Sequence, residues 1–221
     1  IISGVDLIRR KRQEHVHAFS WPLLTASDGT KLGKTTGARV WLDAAKTSPY
    51  QLRQHFMQTA DADVEAQLLT FSLRPVAEIK ELVVAHVDAP QLRLGQKALA
   101  KDMVTLIHGA DAAAAATEAA DLLFSKDPGA ASEAAFETLA AEIPFSQMTA
   151  MELNEVPSAL VAMNLAQSNG DARRTLAQKS YYANGVQLDE KAQLSDHKLV
   201  HGKYLLMRKG KKSHHLVEQV L

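Results

Sequence analysis

The spacing of apolar residues divides the chain into a short amino-terminal segment, a long helical block and a mixed carboxyl-terminal region. Residues 3–18 are predicted to form a helix with a basic run near its end, where the helix dipole favours positive charge. The β-forming residues 19–25 predict a strand that leads into a turn at Asp28-Gly29. Ser48-Pro49 predicts the start of the next helix, because proline suits the first helical position.

The helical block runs from Tyr50 to about Glu142, with segments at 51–57, 61–69, 75–82, 91–109 and 111–124. Asp61 and Asp63 are expected to cap the second segment. The alanine-rich fifth segment has high helix propensity, and its apolar end, residues 122–124, is expected to be buried. In the fourth segment five apolar residues are spaced for one helical face: Leu92, Leu99, Met103, Leu106 and Ile107. Short breaks such as Asp127-Pro128-Gly129 predict a small helical bundle.

The carboxyl-terminal region has a different pattern, which begins after Phe145. Two short helices are predicted at 158–166 and 172–178, with Asp171 as the cap of the second. Asn184-Gly185 lies between β-forming residues, which is a strong hairpin signal. Residues 204–208 and 213–217 predict a second hairpin with a basic tip. These elements together predict an α+β module of two helices followed by a curled sheet.

Composition excludes several classes of protein. The 221 residues can bury a real core, and no apolar run approaches the roughly 18 residues that a membrane span needs. The absence of cysteine excludes disulfides and thiolate metal sites and favours a cytoplasmic setting. Close histidine pairs such as His197/His201 have no well-spaced third ligand, so no metal site is predicted. Because the chain begins at Ile1, without a methionine or a signal segment, we expect that it lacks its natural beginning.

Charged residues are distributed unevenly, although the formal net charge is zero. Residues 1–53 carry nine lysines and arginines against four acids, and residues 158–221 carry ten against five. The intervening residues 54–157 carry six against sixteen. Basic ends of this kind suit polyanions such as nucleic acid or nucleotide phosphates, although a solvated surface explains any single cluster equally well.

The candidate chemistry lies in Ser27–Gly37, which has the sequence SDGTKLGKTTG. A Walker A loop requires four residues between its first glycine and the Gly-Lys-Ser/Thr end, and it opens a helix. Here three residues separate Gly29 from Gly33 and β-formers follow, which argues against a P-loop phosphotransferase. The two mobile lysines Lys31 and Lys34 can instead fold over a triphosphate and stabilise charge on departing pyrophosphate. A solvated surface turn is the alternative.

The stretch Lys31-Leu32-Gly33-Lys34-Thr35 resembles the KMSKS signature of class I aminoacyl-tRNA synthetases. It is most similar to the lysine-aromatic-glycine-lysine-serine/threonine variant of bacterial tyrosyl-tRNA synthetases. Further segments resemble that family in the same order: Val5–Arg10, Pro22–Thr25, Val40–Asp43, Lys46–Tyr50, Thr59–Val64, Leu106–Gly109, Asp171–Arg174 and Asn184-Gly185. The resemblance covers essentially the whole chain.

The resemblance implies an enzyme that joins tyrosine to its tRNA. In that family ATP, here expected with Mg²⁺, activates tyrosine as tyrosyl-adenylate, and the tyrosyl group then passes to the 3′ end of the tRNA. The resemblance implies that Lys34 is the main ATP contact and that Gly33 and Lys31 also bind ATP. It further implies that Lys31 and Thr35 support Lys34 in catalysis. Leu32 departs from the family's phenylalanine or methionine, which we expect to alter packing only. The implied assembly is a cytoplasmic homodimer built largely through the catalytic domain, without a membrane partner.

The implied fold is multi-domain, α and α+β. Residues 1–48 would form the end of a Rossmann-like class I catalytic domain with the lysine loop. Residues 49–145 would form a helical anticodon-region domain, and residues 153–221 a small α+β RNA-binding domain. No HIGH-type motif occurs and the tyrosine pocket would lie upstream of Ile1, so the chain is expected to be a carboxyl-terminal portion that does not activate tyrosine by itself.

The candidate RNA contacts are basic residues of the last module, since structured RNA is bound largely through phosphates and shape. They lie on its second helix and around its second hairpin: Arg173, Arg174, Lys179, Lys203, Arg208, Lys209, Lys211 and Lys212. Tyr181 and Tyr182 are candidates for stacking on bases, and at least one of them is expected to be core instead. A different class of function stays open, namely a non-catalytic RNA-binding protein that uses this basic module.

Overall fold

The structure, a computed structural model, describes residues 1–21, 23, 25, 27, 29, 40–125, 127–210 and 213–220. It consists of two units, Ile1–Arg39 and Val40–Leu221, and each is described by itself. The loop candidates Lys31, Gly33, Lys34 and Thr35 lie outside the described residues, and so do Lys211 and Lys212.

The described part of the first unit contains the helix α1 (Ile2–Arg12). The helix ends before the predicted residue 18, because Gln13 adopts a left-handed conformation with φ of 58° and its N–H bonds to the Arg9 carbonyl. The basic run lies in the last turn, as expected for the helix dipole. Among the described residues of the predicted strand 19–25, Thr25 alone forms a β-bridge.

The second unit begins with the helical block, which consists of α2 (Pro49–Met57), α3 (Val64–Phe71), α4 (Val76–Asp88), α5 (Leu94–His108), α6 (Ala110–Leu122) and α7 (Glu133–Ala140). Short 3₁₀ turns at Asp61–Asp63, Pro90–Leu92 and Pro128–Ala130 separate several of them. The Ser48 hydroxyl accepts a hydrogen bond from the Gln51 N–H at 3.0 Å, which confirms the predicted start of α2.

Three expectations for the helical block need correction. Leu92 is exposed because it belongs to the 3₁₀ turn before α5, and Leu106 on α5 is not covered by a neighbouring helix. Phe124 is 77% exposed because α6 ends at Leu122. The Asp61 carboxylate accepts a hydrogen bond from Gln96 Nε2 at 2.6 Å, so it holds the start of α5 instead of capping α3.

The remaining elements are the strands β1 (Phe145–Thr149), β2 (Tyr181–Ala183), β3 (Val186–Gln187), β4 (Tyr204–Lys209) and β5 (Ser213–Val220), with the helices α8 (Ala150–Asn154), α9 (Val156–Ala162) and α10 (Asn169–Ala177). The strand order is β1-β5-β4-β2-β3, with β1 parallel to β5 and the other pairs antiparallel. Both predicted hairpins are confirmed, and Asn184 and Gly185 turn the first with φ of 46° and 81°. Ser168 caps α10 in place of Asp171, because its hydroxyl accepts the Asp171 N–H at 3.2 Å.

The sheet is covered on its inner face by helices that belong to the same region. Leu205, Met207 and Val217 point inward and form one core with α9 and α10. Tyr181 lies in this core, where its hydroxyl donates a hydrogen bond to the Leu165 carbonyl at 2.9 Å. The inner face therefore makes the α+β module a folded body with a core of its own.

The outer face of the sheet packs on the helical block, and we call this contact the seam. Tyr204, Leu206 and Leu216 of the sheet share a core with the α6–α7 residues Leu122 and Phe136. The rings of Phe136 and Tyr204 are stacked, with centroids 5.1 Å apart.

Polar contacts close the edges of the seam. Lys203 Nζ lies 2.8 Å from a Glu133 carboxylate oxygen, and the hydrogen bond from Lys203 to Glu133 raises the pKa of the lysine. The His201 ring donates to a backbone carbonyl of the helical block at 2.8 Å, and the His214 ring donates to the Leu123 carbonyl at 3.0 Å. The sheet and the helical block are thus joined through a shared core, while the predicted domain boundaries at 145 and 153 stay predictions.

Candidate nucleic-acid interface

The helix α10 presents two arginines to solvent. Its inner side buries Ala172 and Leu176 in the module core, which leaves Arg173 and Arg174 on the outer side. Both arginines are exposed, and in the part of the chain that the structure describes neither guanidinium is held by an ion pair or a side-chain hydrogen bond. They are therefore available to a polyanion, and their role as RNA contacts stays a prediction.

The two arginines line an open cleft of about 590 Å³. The start of α9, at Val156 and Pro157, and the segment 190–193 also line it. Glu155 and Glu190 also line the cleft, so that its charge is mixed. The arginine cleft is consequently a polar recess on the module surface and not a uniformly basic one.

Lys179 lies directly after α10, in a left-handed conformation with φ of 53°. Its N–H closes the helix end on the Leu176 carbonyl at 2.8 Å, and its side chain is exposed. Its own carbonyl accepts a hydrogen bond from Gln187 Nε2 at 2.7 Å. This contact ties the end of α10 to the edge strand β3.

Arg208 lies on β4 directly opposite Tyr182 of β2. Its Cζ atom lies 4.2 Å from the centroid of the Tyr182 ring, in a cation–π contact. Tyr182 is half-buried, whereas Tyr181 is fully buried and burial raises its pKa. The expectation that at least one of the two tyrosines is core is confirmed.

Two further basic candidates take part in structural contacts. Lys209 Nζ donates a hydrogen bond to the Leu165 carbonyl at 2.8 Å and lies 3.9 Å from an Asp171 oxygen. Lys203 pairs with Glu133 in the seam. Their role as RNA contacts stays a prediction, because in the structure the ammonium group of each lysine already binds another group of the protein.

The structure connects some of the predicted residues and separates others. Lys179 and Arg208 are linked through Gln187, which lies 3.3 Å from the Tyr182 hydroxyl, while Arg173 and Arg174 lie on the α10 cleft. Sequence analysis missed Gln187, because its role depends on a cross-strand position that no local pattern marks. Within the described ranges no group of three or more histidines and acids is placed to hold a metal ion. Equally, none of the described helices is long and apolar enough to span a bilayer.

Comparison with known proteins decides the family. A family model described as "tRNA synthetases class I (W and Y)" matches residues 1–125, more than half of the chain. The chain belongs to this family. A second model, described as "Tyrosine--tRNA ligase SYY-like C-terminal domain", matches residues 135–217. The resemblance inferred from the lysine loop is confirmed at the level of the family, and the ten helices and five-stranded sheet among the described residues confirm the mixed fold class.

The curated relatives of this family member are named tyrosine–tRNA ligases. Those of Anaeromyxobacter dehalogenans (strain 2CP-1) and Cronobacter sakazakii are each 40% identical to the chain and cover 99% and 98% of it. The chain covers 53% and 51% of these relatives, so it spans about half the length of the curated relatives it matches. A solved C-terminally truncated mitochondrial tyrosyl-tRNA synthetase of Coccidioides posadasii is 42% identical over 44% of this chain and 25% of its own, with a TM-score of 0.38. That score is too low to support an argument about the fold.

Proposed function

We propose that the protein carrying this chain is a tyrosine–tRNA ligase and that the chain supplies its lysine loop and its RNA-binding module. The observation that carries the proposal is the match of two family models, one to residues 1–125 and the other to residues 135–217. Relatives named tyrosine–tRNA ligase are 40% identical over almost the whole chain, which supports the same activity. The proposed setting is the cytoplasm, and the proposed assembly is a homodimer.

The proposed reaction has two steps. A carboxylate oxygen of tyrosine attacks the α-phosphorus of ATP, the bond to the β-phosphate oxygen breaks, and pyrophosphate leaves. A ribose hydroxyl at the 3′ end of the tRNA then loses its proton and attacks the tyrosyl carbonyl carbon, which forms the ester bond, and AMP leaves with the electron pair of the broken mixed-anhydride bond. Lys34, with Lys31 and Thr35 in support, stabilises the negative charge that develops on the leaving pyrophosphate. Mg²⁺ is expected to accompany the ATP phosphates.

The proposed RNA partner is tyrosine tRNA. The exposed guanidinium groups of Arg173 and Arg174 and the exposed ammonium group of Lys179 support this role, because backbone phosphates are bound through cationic groups that are not already paired. The ten basic residues against five acids in 158–221 point the same way. A non-catalytic RNA-binding protein would share this surface, and the lysine loop distinguishes the two functions.

The catalytic half of the proposal is tested by replacing Lys34 with alanine in a full-length ligase that carries this chain. We expect ATP–pyrophosphate exchange to slow by about a hundredfold or more, the usual cost of removing a donor that stabilises transition-state charge. Binding of tyrosine should not change. The matched control is Lys97→Ala on α5, an exposed lysine remote from the loop in sequence. An exchange rate equal to that of the control would contradict the role of Lys34.

The RNA half is tested by the double substitution Arg173→Ala/Arg174→Ala in the 221-residue chain. Filter binding to a tyrosine tRNA transcript should weaken, and the slope of log affinity against log salt should fall by about two, because two phosphate contacts are lost. Lys198→Ala, an exposed lysine of the same module, serves as the control. A double variant that binds as tightly as this control, with the same salt slope, would remove α10 from the interface.

A further inference from the structure

Four side chains form one row across the outer face of the sheet. Gln187 pairs with Tyr182, Tyr182 with Arg208, and Arg208 with His214, each directly opposite the next on neighbouring strands. Directly paired residues of antiparallel strands point to the same face, so the four side chains share the outer face. We call this set the polar row.

The polar row borders the seam and is not covered by it. The apolar row beside it, Leu206 and Leu216, is buried under α6 and α7. His214, at one end of the polar row, contacts the Leu123 carbonyl at the edge of the helical block. Tyr182 and Arg208 lie farther along and keep part of their surface in solvent. The outer face of the sheet is thus divided into a docked apolar part and an open polar part.

The Tyr182 ring and the Arg208 guanidinium are held in place before any ligand binds. The guanidinium lies against the ring at 4.2 Å, and Gln187 Nε2 lies 3.3 Å from the tyrosine hydroxyl while it donates to the Lys179 carbonyl. Within the described residues no carboxylate lies at ion-pair distance from Arg208. The pair therefore presents a flat, positively charged group whose order does not have to be created on binding.

A flat cationic surface of this kind matches one component of RNA. Arginine is planar and weakly hydrated and stacks on aromatic faces, and unpaired bases of RNA stack on aromatic rings and on guanidinium planes. Bases inside a duplex are already stacked on their neighbours and do not offer a face. The exposed Lys179 beside Gln187 can meet the adjoining phosphate.

We propose that the Tyr182–Arg208 pair is a stacking platform for one unpaired base of the bound RNA. Arg208 contacts the base, and Tyr182 is a positioning residue that backs the guanidinium. The inference rests on the proposed RNA-binding function of the module and adds to it a single-stranded subsite separate from the arginine cleft. The platform recognises the face of a base, so it tolerates any base that is not paired.

The test uses the 221-residue chain and a short single-stranded RNA that contains 2-aminopurine, whose fluorescence falls when it stacks. We expect binding to quench the fluorescence, and a duplex of the same sequence to bind without that change. Tyr182→Ala should weaken single-strand binding about tenfold and abolish the quenching, with an unchanged salt slope. Tyr182→Phe keeps the ring and should retain both signals.

Charge and stacking are separated at Arg208. Arg208→Lys keeps the positive charge and should retain the salt slope while it loses the quenching, whereas Arg208→Ala should also lower the slope by about one. Lys80→Ala, an exposed lysine of the helical block, is the control for a simple loss of charge. Melting temperatures of all variants show whether they are folded, and Arg208→Lys and Tyr182→Phe keep the test decisive if Tyr182→Ala does not fold.

The outcomes separate this inference from the proposed function. If the unmodified chain does not bind the tyrosine tRNA transcript, the RNA role itself is wrong. If it binds, and Arg173→Ala/Arg174→Ala weakens binding while Arg208→Lys and Tyr182→Ala leave the quenching intact, the platform is wrong and the RNA role stands. Displacement of the single-stranded RNA by a polyglutamate peptide, with the same dependence on Tyr182 and Arg208, would assign the pair to an acidic protein partner instead.

Discussion

The two faces of the sheet are built from alternate residues of the same strands, and they pack against different parts of the chain. Leu205 points into a core that the α+β module makes with its own helices, whereas Leu206, the next residue, points into the seam with α6 and α7. The inner face is closed entirely within the module. The outer face is half docked and half open, and the open half carries the Tyr182–Arg208 pair. The inner face therefore contributes the module's own core. The outer face contributes the contact with α6 and α7 and exposes the Tyr182–Arg208 pair to solvent.

The difference between the two faces determines how the RNA-binding role proposed for the α+β module has to be tested. A truncation near Pro157 would remove β4 and β5, leave β1 without its neighbour, and expose Phe136 and Leu122 of the helical block. The loss of RNA binding in such a truncation would be mixed with damage to the rest of the second unit. Single substitutions on one face at a time avoid this problem.

The largest effect is expected from Phe136→Ala in the seam. Phe136 is fully buried and stacked on Tyr204, and removing a buried phenylalanine costs about 3–5 kcal/mol of unfolding free energy. Urea unfolding of the 221-residue chain measures the loss. Phe124→Ala is the matched control, because Phe124 is exposed and its removal should change stability by less than about 0.5 kcal/mol. Equal losses for the two variants would show that the seam does not contribute to stability.

Leu205→Ala and Leu206→Ala compare the two faces at adjacent positions. Both leucines are buried, and each substitution should cost about 2–5 kcal/mol. Hydrogen exchange should distinguish them, since Leu205→Ala loosens the helices α9 and α10 first, while Leu206→Ala loosens α6 and α7 first. The same exchange pattern in both variants would mean that the two faces do not act as separate cores.

A smaller effect is expected from pH, through a histidine on the inner face. His215 is buried and hydrogen-bonded to the Ser146 hydroxyl at 2.8 Å, and burial lowers its pKa below the usual 6.5. The unfolded chain then binds the proton more readily than the folded one, so stability is full above pH 6.5 and is lost as the pH falls toward the lower folded-state pKa. Burial lowers the pKa of His55 and His197 as well, which acts in the same direction.

Unfolding free energies measured between pH 7.5 and pH 5.5 check this prediction. His215→Gln keeps a partner for Ser146 and should flatten the profile, while His17→Gln, at an exposed position of the first unit, should leave it unchanged. A profile that is equally steep in His215→Gln would show that the titrating group lies elsewhere.

The smallest effect is expected from Glu133→Gln at the rim of the seam. The ion pair with Lys203 is partly exposed to solvent, and pairs of this kind contribute little because water and salt screen them. The melting temperature should fall less than in Leu206→Ala, and the difference from the unmodified chain should shrink as salt is added. A shift larger than that of Leu206→Ala would mean that charge and not apolar packing holds the seam.

Local sequence signals predicted the elements whose chemistry is local. Ser48-Pro49 starts a helix because a hydroxyl cap and a proline act within one turn, and Asn184-Gly185 turns a hairpin because those two residues tolerate positive φ. The opposite orientation of Tyr181 and Tyr182 follows from the alternation of side chains along a strand. The lysine loop was found by its motif, and its geometry lies outside the described residues.

The missed features depend on contacts between distant parts of the chain. β1 pairs in parallel with β5, and the two strands are separated by most of the module, so no local period marks β1 as a strand. The exposure of Leu106 depends on which helices lie beside it, and its spacing along α5 could not show that. The polar row can be predicted only when the registers of three strand pairs are known together. Its member Gln187 cannot be distinguished from an ordinary polar residue until the register is known.

The pairing of β1 with β5 has a consequence for biosynthesis. β1 is synthesised well before its partner strand Ser213–Val220, and at roughly 5–20 residues per second the wait lasts several seconds. During that time β1 has no strand to pair with, and the side of α7 that packs in the seam lacks its contact with β5. A nascent chain that stalls before Ser213 would carry Arg173 and Arg174 on a helix whose supporting sheet is incomplete. The sheet that supports α10 is therefore completed only when β5 has been made.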